Sequence, residues 1–123
     1  MEKKVLEFKM VELREVTNKD GETRVMLKLF CESYIKSVTT LGDFSQENEG
    51  QLTYYLFVKE IPKDDKGKPK YELGIQKEPK VYELEHYYEG AGVWKPTGYN
   101  VVERKVALKD TGEEIKVKHL KSL

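Results

Sequence analysis

Residues 5–31 decide the fold, and they read VLEFKMVELREVTNKDGETRVMLKLFC. Apolar and polar residues alternate on both sides of positions 18–21, which is the pattern of half-buried β-strands. The tetrapeptide Asn-Lys-Asp-Gly between the two runs predicts a tight turn. The chain is therefore expected to begin with an antiparallel β-hairpin.

The first run contains a one-residue slip in its alternation. Leu6, Phe8 and Met10 share one parity, whereas Val11 and Leu13 continue on the other. An extra residue in one strand of a pair is a β-bulge, which bends the sheet. The slip therefore predicts a bulge at residues 10–11.

The rest of the chain continues with short alternating runs between turn-rich segments. Further strands are predicted within 51–61, 71–75, 80–88 and 102–120, the last turning at 109–112. Pro, Gly, Asn and Asp mark loops at 36–50, 62–69 and 89–100. About seven short strands with frequent turns predict a single all-β domain over residues 1–123, either a barrel or a sandwich.

The cysteine count and the lack of a long apolar run restrict the compartment. Cys31 is the only cysteine and lies in an apolar series, which predicts a small buried residue and a reducing environment. No run approaches the ~20 apolar residues of a membrane helix, and the N-terminus has no apolar signal core. We expect an intracellular, cytoplasmic protein with no membrane segment.

Few residues are candidates for catalysis. His86 falls on a strand face, which favours a partly buried structural role, and His119 is expected to be exposed near the C-terminus. No P-loop, dinucleotide-binding or nucleophile-elbow motif occurs, and the carboxylates are interleaved with lysines. The prediction is a protein without catalytic residues, cofactor or metal; a small hydrolase or nuclease is the least favoured alternative.

Two strands carry rings and cations on the side away from their aliphatic residues. In residues 22–35 these are Arg24, Met26, Lys28, Phe30 and Tyr34, and in 51–61 they are Tyr55, Phe57 and Lys59. If the two strands are neighbours, they form one aromatic and basic surface. Bases stack on such rings at ~1–3 kcal/mol each, while cations follow the phosphates.

Two loops extend this predicted surface. The net charge is zero, but residues 59–80 carry seven lysines against five acids, so positive charge is concentrated locally. The predicted nucleic-acid-binding residues are Arg24, Lys28, Phe30, Tyr34, Tyr55, Phe57, Lys59, Lys63, Lys66, Lys68, Lys70, Trp94 and Lys95.

The same pattern has a second interpretation. Tyr and Phe are favoured in strands generally, so rings on both faces are also typical of a sheet that is buried on both sides. Phe30, Tyr55 and Phe57 would then form a second core layer or an interface with another chain. The alternative function is accordingly a β-rich protein-interaction or assembly module that uses this aromatic face.

In size and pattern, residues 4–108 resemble the small phage-encoded single-stranded-DNA-binding proteins. The features that carry the resemblance are the bent first strand, the turn at 18–21, the paired aromatic strands and the lysine-bearing loop at 62–70. The resemblance implies an OB-fold-like Greek-key barrel with extra hairpins, which binds DNA on its second and third strands. It further implies sequence-independent binding in phage replication or recombination, and a dimer or higher homo-oligomer in the host cytoplasm.

The chain departs from that family in two ways. It ends Lys118–Leu123 rather than in an acidic tail, so the resemblance does not extend to tail-mediated partner recruitment. No helix is predicted between the third and fourth barrel strands.

Overall fold

The computed structural model describes residues 2–32, 52–90 and 93–123, and every regular element in them is a β-strand. The all-β prediction is therefore confirmed. The seven strands are β1 (Lys3–Thr17), β2 (Thr23–Cys31), β3 (Leu52–Val58), β4 (Gly74–Gly90), β5 (Val93–Pro96), β6 (Tyr99–Leu108) and β7 (Glu114–Ser122). This part of the chain contains no helix long and apolar enough to cross a membrane.

All seven strands belong to one sheet, and five of them form a closed ring of pairings. β1 pairs with β2 and β6, β2 pairs with β3, β3 with β7, and β7 with β6. Only the β3–β7 pairing is parallel. β4 pairs mainly with the first half of β1 and is not a member of the ring, and β5 pairs with β4.

β1 reaches three neighbouring strands because it is long and carries a bulge. Its register with both β2 and β4 shifts between Met10 and Glu12, which confirms the predicted bulge. Phe8 and Met10 before the shift and Leu13 after it all lie in the same apolar cluster. The extra residue therefore keeps one face of β1 buried across the slip in alternation.

Both predicted tight turns form between paired strands. In the first, the Asn18 side-chain oxygen accepts hydrogen bonds from the backbone N–H groups of Asp20 (3.0 Å) and Glu22 (2.9 Å). Gly21 has φ of 79°, in the left-handed region that favours glycine. The second turn joins β6 to β7, and Arg14 holds it against β1 through two 2.9 Å hydrogen bonds to the Asp110 carboxylate.

Two connections differ from the prediction. The segment 62–69 forms a compact turn in which the Lys70 N–H donates to the Pro62 carbonyl at 2.8 Å. An antiparallel bridge between Lys63 and Pro69 makes it a small local hairpin, but β3 and β4 on either side of it are not paired in the described sheet. The segment 89–100, predicted as a loop, contains β5 and the start of β6. The loop predicted at 36–50 lies outside the described residues.

The apolar residues form two clusters on opposite faces of β2. Leu27 and its same-parity neighbours belong to a larger cluster to which all seven strands contribute. Met26, of the opposite parity, belongs to a smaller cluster with Val16, Val106, Leu108 and Val117. The members of the larger cluster are Phe8, Met10, Leu13, Val25, Leu27, Leu29, Cys31, Leu52, Tyr54, Leu84, Trp94, Val101 and Leu120. Cys31 is buried, as predicted.

Candidate nucleic-acid interface

The structure brings the two predicted aromatic strands together. β2 and β3 are antiparallel neighbours, with Lys28 opposite Tyr55 and Met26 opposite Phe57. Residues directly opposite each other in such a pair share a face. The prediction that the two strands are neighbours is therefore confirmed, and their paired side chains share one face.

That surface is partly covered, which the sequence-based interpretation did not predict. Met26 is only 4% exposed, and Tyr55 and Phe57 are half-buried against the smaller cluster. The other buried members of that cluster come from β1, β6 and β7, and they are Val16, Val106, Leu108 and Val117. Burial, together with the nearby Glu12 carboxylate, raises the pKa of Tyr55 above its usual value. The second-core alternative is thus partly correct for Tyr55 and Phe57, and Met26, which it did not include, is buried in the same layer.

Phe30 lies at the other end of the same strand pair, in acidic surroundings. It borders a shallow cavity of about 230 Å³ together with Glu7, Lys9 and Glu32. Two carboxylates against one ammonium group disfavour a phosphate at this position. Phe30 is therefore a poor candidate for stacking a base of a polyanion.

A basic cleft of about 470 Å³ opens at the Phe57 end of the strand pair. Its described lining residues include five basic ones (Lys19, Arg24, Arg104, Lys105 and Lys116) and two acidic ones (Asp20 and Glu103). The half-buried Phe57 ring lines the same cleft, with Val16, Asn18 and Val106. The cleft thus combines one aromatic ring with an excess of three positive charges.

Some of the cleft cations are already neutralised. Arg24 pairs with Glu22, and Lys116 Nζ lies 3.6 Å from a Glu103 carboxylate oxygen. Among the described residues, no carboxylate forms an ion pair with Lys19, Arg104 or Lys105. These three cations are therefore available to an anionic ligand.

His119 lies under the Phe57 ring. The two ring centroids are 4.6 Å apart, and the imidazole Nδ1 is buried without a described hydrogen-bond partner. Burial, with Arg104 and Lys121 as additional causes, lowers the pKa of His119 to about 4. The expectation of an exposed histidine is wrong, because β7 pairs with β3 at His119 and Tyr55. The neutral His119 ring therefore packs against the Phe57 ring.

The predicted lysine-bearing loop is a hydrogen-bonded turn, which we call the lysine turn (residues 59–70). The Asp64 carboxylate accepts hydrogen bonds from the backbone N–H groups of Lys66 and Lys68, each at 2.9 Å. Only Lys63 pairs with an acid in this turn, at 3.4 Å from Glu60. All five lysines are exposed, and none of them lines the basic cleft. The five are Lys59, Lys63, Lys66, Lys68 and Lys70.

The prediction that Trp94 and Lys95 lie in a loop that extends the binding surface is wrong. Trp94 lies in β5 opposite Tyr88 and is 5% exposed, so its ring is not available to stack on a base. The Lys4 ammonium group lies 5.5 Å from its ring centroid. Lys95 is paired with Glu89 at 2.9 Å, and this hydrogen bond raises the pKa of Lys95. The remaining predicted residue, Tyr34, lies outside the described residues.

His86 has a structural role within the larger cluster. Its Nδ1 lies 3.2 Å from the Leu84 carbonyl, which can only accept, so Nδ1 carries the proton. Its Nε2, 2.8 Å from the Tyr54 hydroxyl, therefore accepts a hydrogen bond. Burial lowers the pKa of His86 and keeps the ring neutral. It is fully buried rather than partly buried as predicted.

Across residues 2–32, 52–90 and 93–123, no three His, Cys, Asp or Glu side chains are placed to hold a metal ion. That the protein is not an enzyme stays a prediction.

The sequence-based reasoning missed most of the cleft cations. Arg104, Lys105 and Lys116 lie on the β6–β7 hairpin among other charged residues, in a pattern that is typical of solvated strand residues. Only the ring closure brings them beside Arg24 and Phe57.

No family model, curated protein or solved structure matches the chain.

Proposed function

We propose that the protein binds single-stranded nucleic acid, preferably DNA, in the basic cleft. The observation that carries this proposal is the Phe57 ring among five cations, of which Lys19, Arg104 and Lys105 have no described ion pair. A single strand presents exposed bases and a chain of phosphates, so one ring and several cations match its chemistry. No base-specific donor or acceptor set is required, and binding is sequence-independent.

The size of the cleft favours a single strand over a duplex. A volume of about 470 Å³ falls in the range of small-molecule sites, which accommodate one or two nucleotides rather than a double helix. In a duplex the bases are also stacked on each other and cannot reach the Phe57 ring. A duplex would therefore contact only the outer cations.

The topology of the ring supports an OB-fold for this chain. In an OB-fold the first strand pairs with the second and the fourth, and the third lies parallel to the fifth. With β1, β2, β3, β6 and β7 taken as these five strands, every one of those pairings is present. β4 and β5 then occupy the connection that holds a helix in many such barrels.

The proposed site also matches the usual OB-fold location. OB-folds bind oligonucleotides at the second and third strands, next to the turn between the first and second. Here Arg24 of β2, Phe57 of β3 and Lys19 of the β1–β2 turn line the cleft together. A role in phage replication or recombination, which the resemblance implies, is part of the same proposal.

The matched pair Phe57→Leu and Phe30→Leu tests the stacking role. Leucine preserves most of the apolar packing of Phe57 in the smaller cluster while removing the ring. Loss of one stacked base costs ~1–3 kcal/mol, so oligo-dT affinity should fall about 5- to 150-fold for Phe57→Leu. Phe30→Leu, on the acidic end of the same strands, should bind like the wild type.

Fluorescence anisotropy with labelled oligo-dT and with a duplex of equal length provides the measurement. Circular dichroism and a thermal melt establish that both variants are folded. Equal affinity for single and double strands, or equal losses for the two variants, would reject the proposed site.

A further inference from the structure

The outer faces of β1 and β4 form a second charged surface, opposite in sign to the basic cleft. Val5 lies opposite Glu85, and Glu7 lies opposite Glu83, so all four side chains share one face. Phe8 and Leu84 alternate with them and point into the larger cluster. Lys3 and Lys9 lie at the two ends of the same face, opposite Tyr87 and Val81. We call the surface formed by Val5, Glu7, Val81, Glu83 and Glu85 the acidic face, and its three carboxylates against the two flanking lysines leave a net charge of −1.

The acidic face contains features that destabilise an exposed sheet surface. Glu7 and Glu83 are directly opposite each other, and like charges in that position destabilise a sheet. Val5 and Val81 are exposed at 60% and 47%. No lysine or arginine of the described residues forms an ion pair with Glu7, Glu83 or Glu85. The carboxylates are therefore available for ion pairs with a partner, and the valines are available for apolar contacts.

This surface continues past the edge of β1. Lys9 lies opposite Val81 on β4 and opposite Phe30 on β2, and the shallow cavity of about 230 Å³ beside Phe30 also contains Glu32. Besides the Lys9 ammonium group, the continuation adds a half-buried ring and another carboxylate. A partner for the whole surface needs several cations carried on aliphatic stems.

The lysine turn of a second copy has that chemistry. It carries five lysines against Glu60, Asp64 and Asp65, an excess of two positive charges. Lys66 and Lys68 have no described ion pair, and the Asp64 carboxylate accepts hydrogen bonds from both of their backbone N–H groups. Lysine stems cover apolar surface while their ammonium groups reach carboxylates. Within one chain, no lysine of the turn pairs with the acidic face.

We propose that the lysine turn of one copy docks on the acidic face of a second copy of this chain. The proposal does not depend on nucleic-acid binding, and it assigns the lysines of the turn to self-association. The two docking surfaces are the lysine turn and the acidic face. The basic cleft is part of neither, so the proposed contact does not involve it.

Two charge-reversal variants test the contact. One carries Glu7→Lys with Glu83→Lys, which exchanges one like-charge pair for another and so should preserve stability. The other carries Lys66→Glu with Lys68→Glu, which leaves the backbone bonds to Asp64 in place. A control with Glu113→Lys and Glu114→Lys, on exposed positions of the β6–β7 turn region, matches the first variant in net charge.

Sedimentation velocity in low salt, about 20 mM, provides the readout, because exposed charges are little screened there. Wild type and control should self-associate, and each reversal variant alone should associate at least about tenfold more weakly. An equimolar mixture of the two reversal variants should recover association, because each then meets a surface of opposite charge. Wild-type association should also weaken when the salt is raised to about 300 mM.

Three results would overturn the proposal. These are a wild type that stays monomeric in low salt, reversal variants that associate like the control, and a mixture that does not recover association. Oligo-dT affinity is measured separately on the same variants. A lysine-turn variant that loses oligo-dT affinity but still self-associates would assign the turn to nucleic acid instead.

Discussion

Removing the two unpaired cations of β6 should change the salt dependence of binding by a calculable amount. The variant is Arg104→Gln with Lys105→Gln, which keeps the length and polarity of both side chains. Each phosphate contact on a single strand contributes about −0.7 to the slope of log affinity against log salt. Lys19, Arg104 and Lys105 are the cleft cations without a described ion pair, so the wild-type slope should be about −2.1.

The slope converts directly into an affinity change. Between about 50 and about 200 mM salt, a slope of −2.1 weakens binding about 18-fold, whereas about −0.7 weakens it only about threefold. The double variant should show the smaller change, because only Lys19 of the three remains. A control with Lys3→Gln and Lys77→Gln, two exposed lysines outside the cleft, should keep the wild-type slope.

The assay is an anisotropy titration of labelled oligo-dT at four or more salt concentrations. Equal slopes for the wild type and the Arg104, Lys105 variant would refute the reasoning, because the cleft cations would then not contact phosphates. A reduced slope in the Lys3, Lys77 control would also contradict it, since binding would follow net charge rather than the cleft.

Three further predictions concern the packing around the site. Met26→Ala should cost about 2–5 kcal/mol of unfolding free energy, because Met26 is buried in the smaller cluster, whereas Lys28→Ala should cost less than about 0.5 kcal/mol. Both residues lie on the same face of β2, so urea denaturation measures how far the smaller cluster covers that face. His119 has a folded-state pKa of about 4, below its usual value of 6.5, so the unfolded chain binds the proton first and stability falls as pH drops from about 7 towards 4. His119→Phe should show a smaller fall in urea midpoint over that range, and an unchanged fall would contradict the assignment. Trp94 is buried in the larger cluster, so selectively excited Trp emission should be unchanged by saturating oligo-dT; strong quenching would place the ligand near β5 instead.

The local features of the fold could be read from the sequence because their causes are local. The slip after Met10 predicts the bulge, and the Asn18 and Gly112 turns follow from residues that favour those backbone conformations. Alternation also identifies the buried face of β2 that carries Leu27. Each of these depends on residues within a few positions of one another.

The closure of the ring could not be read in the same way. β3 and β7 are joined through Tyr55 and His119, which are 64 positions apart, and no short-range pattern encodes that pairing. Period-two alternation also does not say whether the second face of a strand is covered. For this reason Met26 was expected on an outward surface, and the cations of the β6–β7 hairpin were missed.

Trp94 shows a further limit of local reasoning. Gly and Pro around it are typical of a loop, but β4 is long enough to provide β5 with a partner strand. The Tyr88 ring, 5.1 Å from the Trp94 ring, then helps to cover it. Burial of this ring depends on tertiary structure rather than on its neighbours in sequence.

Amide chemical-shift mapping with an isotope-labelled protein and a short oligo-dT tests most directly whether the basic cleft is the nucleic-acid site. The largest shifts should fall on Lys19, Arg104 and Lys105, with little change at Phe30 and Glu83. Largest shifts around Phe30, or no shifts at saturating oligo-dT, would contradict the account.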